Sequence, residues 1–205
     1  MADKQINYID VQMFHPYISG LYADAFKMIH DSEQAYVPLV INSYGGYVDC
    51  LSTMLDEIDN SEKPVITIVT GVAMSCGAVL ATSGTKGLRF IGNNARFMVH
   101  EAAGGARGKS SDVLNDAKDL QNMTDKLVYE RFDKQAGKPE GYTKNLVKDN
   151  FNADLFLNAN EALAHGYMDS IMSRNKALNT IDALYSNYLD NKQKEITNND
   201  SYKTI

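Results

Sequence analysis

The sequence predicts an α/β fold built on a parallel-rich β-sheet. Three observations carry that expectation. Short β-rich runs (residues 37–41, 65–69 and 96–99) alternate with segments whose apolar residues recur at helical spacing, the pattern left by parallel strands joined through helices. The run 65–69 (VITIV) is almost continuously apolar, as a strand covered on both faces must be. With 205 residues, 44% of them hydrophobic, the chain can bury one core, so a single domain with a polar extension is expected.

Taken in order, residues 6–14 read as an opening strand stopped by His15-Pro16. Residues 19–34 read as a helix with Leu21, Ala25, Met28 and Ile29 on one face. Strand 37–41 ends before a Gly45-Gly46 turn. Val48, Leu51, Met54, Leu55 and Ile58 then form a helical stripe that stops near Asn60. Lys63-Pro64 restarts the chain into strand 65–69, and a helix of small residues begins near Ser75. Runs 88–91 and 96–99 are further short strands. Residues 110–135 form a long amphipathic helix, with Val113, Ala117, Leu120, Met123, Leu127 and Phe132 set between charges, and Gly137-Lys138-Pro139 ends it. Residues 191–205 have the composition of a disordered tail. There is no internal repeat.

Composition excludes several classes of function. The net charge is −6 and the basic residues are scattered among acidic ones, so no nucleic-acid partner is expected. Cys50 and Cys76 lie in apolar surroundings and read as buried free thiols. No Cys/His spacing resembles a metal site, and nothing calls for a cofactor. The opening MADKQINYID lacks an apolar signal core. The uncharged run 65–81 falls short of the roughly 20 apolar residues of a membrane span, and Gly71, Ser75 and Gly77 interrupt it. No membrane partner is expected, and the reading is a cytoplasmic protein.

Three of the predicted strands end in residues with chemical uses. "NSYGGYV" follows 37–41, "TGVAMSCGA" follows 65–69, and His100 follows 96–99. Ligands bind at the carboxyl ends of strands in open α/β sheets, so these stretches should converge. Paired glycines let backbone N–H donors approach a reacting group. Ser75 sits at a strand-to-helix junction, and a neighbouring histidine can take its proton. Together these are the parts of an acyl-transfer site. Each part also has a plainer use: small residues around a serine allow close packing, a strand-end histidine satisfies core hydrogen bonds, and Gly-Gly makes turns.

"INSYGGYVDCLSTMLDEI", "TGVAMSCGAVLATSGTKGLRFIGNNARFMVHEAAGGARGKSSD" and "ADLFLNANEALAHGYMDSI" resemble, in order, the signature blocks of the Clp protease proteolytic subunit (ClpP) family, over residues 6–173. The resemblance implies the ClpP/crotonase-like fold, with a handle strand and helix at 101–137 in a domain of residues 1–175, followed by a partly disordered extension, 176–205. It implies a serine endopeptidase with Ser75 as nucleophile, His100 as general base and Asp154 as the group that orients the imidazole. Gly46 and Cys76 match the backbone donors of the oxyanion hole. Substrate would add as an extended strand between Gly45, Tyr47 and Val48 on one side and Ala102, Ala103 and Gly104 on the other. The implied assembly is a heptameric ring of identical subunits, able to stack into a tetradecamer, that cuts unfolded polypeptides. The implied partner is a Clp-type ATPase.

Four features depart from the family. Tyr44 stands where proline usually precedes the two glycines. Asn152-Ala153 replaces a charged pair that commonly links rings. The segment before the first strand is shorter than the family's axial loop. Pro38, Val40 and Ser61 occupy positions where the family presents aromatic residues to its ATPase. The expectation is therefore a peptidase that works with or without an ATPase, either a divergent housekeeping subunit or a bacteriophage-type relative. The alternatives are an inactive scaffold or a crotonase-like acyl-CoA enzyme on the same fold.

Overall fold

The computed structural model describes residues 6–150 and 153–201. Its elements, in chain order, are β1 (Ile9–Val11), α1 (Pro16–His30), β2 (Val37–Ser43), α2 (Val48–Asp59), β3 (Val65–Met74), α3 (Cys76–Thr82), β4 (Arg89–Ile91) and β5 (Arg96–Val99). Then come α4 (Ser110–Met123), a π-helical segment (Thr124–Glu130), α5 (Arg131–Ala136), α6 (Tyr142–Asp149), β6 (Leu155–Asn158), α7 (Ala159–Ala164), β7 (Ser170–Ile171), α8 (Arg174–Asn179) and α9 (Ile181–Ser201). The sheet runs β1-β2-β3-β4-β7, all parallel. Its edge forks at β3, which pairs β4 through Thr67–Val69 and β5 through Val72–Met74. Antiparallel β6 adds to β5. The expected parallel-rich α/β fold is what forms.

Alternation along the central strands sorts side chains onto two faces. Val37, Leu39 and Ile41 of β2, with Val65 and Val69 of β3, join the main core beneath α1, α2, α3 and α5. Val40, Ile66 and Ile68 point the other way, into a second core with Tyr36, Leu88 and Phe90. Ala177 and Ile181, from α8 and α9, cover that second core. The phenol of Tyr36, held protonated first by burial, donates to Asp182 at 2.5 Å and ties α9 down. Residues 191–201, expected to be disordered, continue α9 as helix.

Three other expectations are corrected. Pro16 opens α1, where its fixed φ and missing N–H cost nothing, and His15 Nδ1 accepts from the Tyr17 N–H as cap. The buried face of α1 carries Phe26 and Ile29, while Leu21 and Met28 are exposed. β3 runs on to Met74, beyond the expected residue 69, because Gly71 takes a φ of +78° against a bulge at Asn42, whose Oδ1 accepts from the Val72 N–H. Arg89, 1% exposed, joins separate elements through its guanidinium: it binds Asp169 through two nitrogens and donates to the carbonyls of Thr82, Gln135 and Gly166. Among the described residues no helix is long and apolar enough to cross a membrane.

Candidate active site

One strand, β5, assembles the site. Its parallel register with β3 sets Met98 beside Met74, and the Ser75 N–H donates to the Met98 carbonyl at 3.0 Å. Its antiparallel register with β6 sets Val99 opposite Leu155, so the next pair outward is His100 and Asp154. The ring nitrogens of His100 reach both ways: Nε2 lies 2.8 Å from Ser75 Oγ and Nδ1 lies 3.3 Å from Asp154 Oδ1. His100 is 27% exposed at its side chain and Asp154 51%, which leaves the line of three groups open to a ligand.

Ser75 is the one described non-glycine residue with positive φ (φ 53°, ψ −125°), a conformation that costs about 1–3 kcal/mol and that the surrounding structure must enforce. Gly45 and Gly46 allow the close approach that holds it. A β-carbon on Gly45 would lie 2.7 Å from Ser75 Cβ and 3.2 Å from the Cys76 nitrogen. One on Gly46 would lie 2.1 Å from the Phe14 carbonyl oxygen. The Cys76 thiol donates to the Gly46 carbonyl at 3.3 Å, and burial pushes its pKa up, so it stays a protonated donor.

Beside Ser75 and His100 opens a small apolar recess of about 20 Å³, walled by Val48, Leu51, Val79, Ala102, Val128 and Phe132. Val128 and Phe132 come from the helix after the site and are buried against the main core, as is Tyr129. The residues following His100 are held from the same direction. The Ala102 N–H donates to Thr124 Oγ1 at 3.2 Å, and Tyr129 OH donates to Glu101 Oε1 at 3.2 Å.

The sequence has relatives. The sequence model of the Clp protease family matches residues 21–175. The chain belongs to the Clp protease family. It is 36% identical over 146 residues, 70% of each chain, to a protein described as ATP-dependent Clp protease proteolytic subunit 3, from Synechococcus sp. (strain CC9902). As a Clp-family protein it is a serine-type peptidase.

The structure distributes the remaining expected residues unevenly around the candidate site of this Clp-family chain. Gly45 lies against Ser75, Gly46 lies against Phe14 and accepts from the Cys76 thiol, and Val48 and Ala102 line the recess. Ala103 and Gly104 are exposed on the segment beyond His100, with Gly104 against Leu120. Tyr47 stands outside the recess, 59% exposed, its ring edge-on to His15 at 5.7 Å. Thr124, Val128 and Phe132 are not marked as site residues in the sequence, because they fall within one long amphipathic helix pattern, 110–135, with no local sign of which part faces the site. Only α4 lacks buried residues; the rest of the stripe serves its own core. Pro38 and Val40 are buried beneath the second core and are not surface positions in this chain. Asn152 lies outside the described residues.

Proposed function

We propose that this Clp-family chain is an endopeptidase whose reaction runs through Ser75, His100 and Asp154. The 2.8 Å contact between His100 Nε2 and Ser75 Oγ carries the reading. As Oγ attacks a peptide carbonyl carbon, Nε2 takes its proton, and Asp154 beside Nδ1 fixes the tautomer and stabilises the imidazolium. The carbonyl oxygen, now negative, rests on the N–H groups of Gly46 and Cys76. His100 then returns the proton to the departing amine, and water repeats the sequence to free the acyl group. The apolar recess borders the place of the side chain just before the cut bond, which favours apolar residues there.

The substrates are short peptides and unfolded chains, met in the cytoplasm inside a ring of identical subunits. Exposed Val113 and Leu114 on α4, and Tyr17, Leu21 and Met28 on α1, are the surfaces such neighbours would cover. A heptamer, single or stacked in pairs, is the assembly we favour. We further propose that it works without a Clp ATPase. The positions the family uses for docking include Pro38 and Val40, and here α8 and α9 lie over that side of the sheet. Such a peptidase suits an accessory role, including the bacteriophage-type one.

A fluorophosphonate probe followed by peptide mapping tests the reading. Ser75 is expected to be the labelled residue, and Ser75→Ala to lose labelling and peptide hydrolysis while keeping its fold. Asp154→Asn should slow hydrolysis on the order of 10⁴-fold. Label on another residue, or hydrolysis that survives Ser75→Ala, would refute it.

A further inference from the structure

The helix that follows the site changes its winding in one place. Between α4 and α5, residues Thr124–Glu130 form a π-helical turn, in which hydrogen bonds close to the fifth residue. That winding aligns positions five apart, one above the other. In an α-helix the same two positions would point about 140° away from each other. Thr124 and Tyr129 are five apart, and they hold neighbouring residues of one segment, Ala102 and Glu101. Both are buried, Thr124 to 2% and Tyr129 to 3% exposure. The Thr124 hydroxyl is fully committed, donating to the Leu120 carbonyl at 2.9 Å while accepting from Ala102. Burial, with Glu101 second, pushes the Tyr129 pKa up, so its phenol remains a donor.

We propose that Thr124 and Tyr129 are positioning residues that set the substrate-pairing edge, and that the π-helical winding exists to align them. This rests on the peptidase reading. The Ala102 N–H is spent on Thr124 and is no donor to a substrate. Successive N–H groups of an extended chain alternate in direction. With residues 101–104 extended, as strand-like substrate pairing requires, the pairing falls to Ala103, whose N–H and carbonyl then point opposite to those of Ala102. With its N–H held at the helix, Ala102 presents its methyl group to the recess, where it forms one wall. The clamp thus governs substrate register along the edge and has no part in proton transfer at Ser75.

The test uses Thr124→Val, which keeps the shape and removes the hydroxyl, Thr124→Ser, which restores it, and Tyr129→Phe. Each is assayed with a fluorogenic peptide long enough to lie along residues 102–104 and with a p-nitrophenyl ester too small to reach them. Amide hydrogen exchange at Ala102 is followed in parallel. Thr124→Val should lower kcat/KM for the peptide about tenfold relative to the ester, mostly through KM. It should also speed exchange at Ala102, and Thr124→Ser should reverse both effects. Tyr129→Phe should shift the peptide-to-ester ratio the same way by a smaller factor. An unchanged ratio, or unchanged Ala102 exchange, in Thr124→Val overturns the proposal. A wild-type protein that neither cleaves nor labels at Ser75 overturns the peptidase reading instead, and exchange at Ala102 still decides whether the clamp exists.

Discussion

At Gly46 a single methyl group would be enough to break the site. The nearest atom to it, the Phe14 carbonyl oxygen, is backbone and cannot rotate aside, and the φ of +147° is one that side-chain-bearing residues avoid. Gly46→Ala must therefore move the 45–47 loop away from Phe14 and displace the Gly46 N–H relative to Ser75. The expected result is a folded protein whose Ser75 is labelled about 10²-fold more slowly, read by stopped-time fluorophosphonate labelling with circular dichroism as the control for folding. Labelling at the wild-type rate would show that the Gly46 N–H has no role. These residues were legible in the sequence because strict local demands mark them: two glycines, a serine among small neighbours, and a histidine at a strand end. Asp154 was legible only through family resemblance. Its place opposite His100 comes from a ladder between strands far apart in the chain, which no local pattern encodes.

Among the described helices, α4 stands apart because it has no buried residue, yet Val113 and Leu114 are apolar. An exposed apolar stripe on an ordered helix implies a covering surface, and a neighbouring copy is the one the family reading supplies. Replacing Val113 and Leu114 with Glu should reduce the particle size measured by light scattering at micromolar concentration while leaving the monomer's helix content intact. A wild-type protein already monomeric under those conditions would remove the ring from the account. A stripe analysis could not separate α4 from α5, since apolar residues at helical spacing look alike whether their cover is the same chain or another. The π-helical turn was equally silent, because it shifts facing without changing composition. The end of the chain did carry a signal. Ala177, Ile181, Leu184, Tyr185 and Tyr188 recur at helical spacing, and all five pack in or against the second core, but a polar background hid them.

For the whole molecule, the second core bears on the proposed independence from an ATPase. Tyr36, Val40, Ile66, Ile68 and Phe90 would form an apolar sheet face, and α8 and α9 close it. With a Clp ATPase and ATP present, a stably folded tagged substrate should persist, whereas an unfolded chain should be cut without ATP. Rapid, Ser75-dependent loss of the folded substrate would overturn the ATPase-independent reading. The β5–β6 ladder has a different kind of consequence. The spacing between His100 and Asp154 is held by strand register, so the long stretch of chain separating them can change without disturbing it. That stretch contains α4, α5 and two walls of the recess, Val128 and Phe132. On the proposed mechanism, chemistry and selectivity are thus separately inheritable: drift in one insertion would retune which chains are cut while the reacting groups stay where they are.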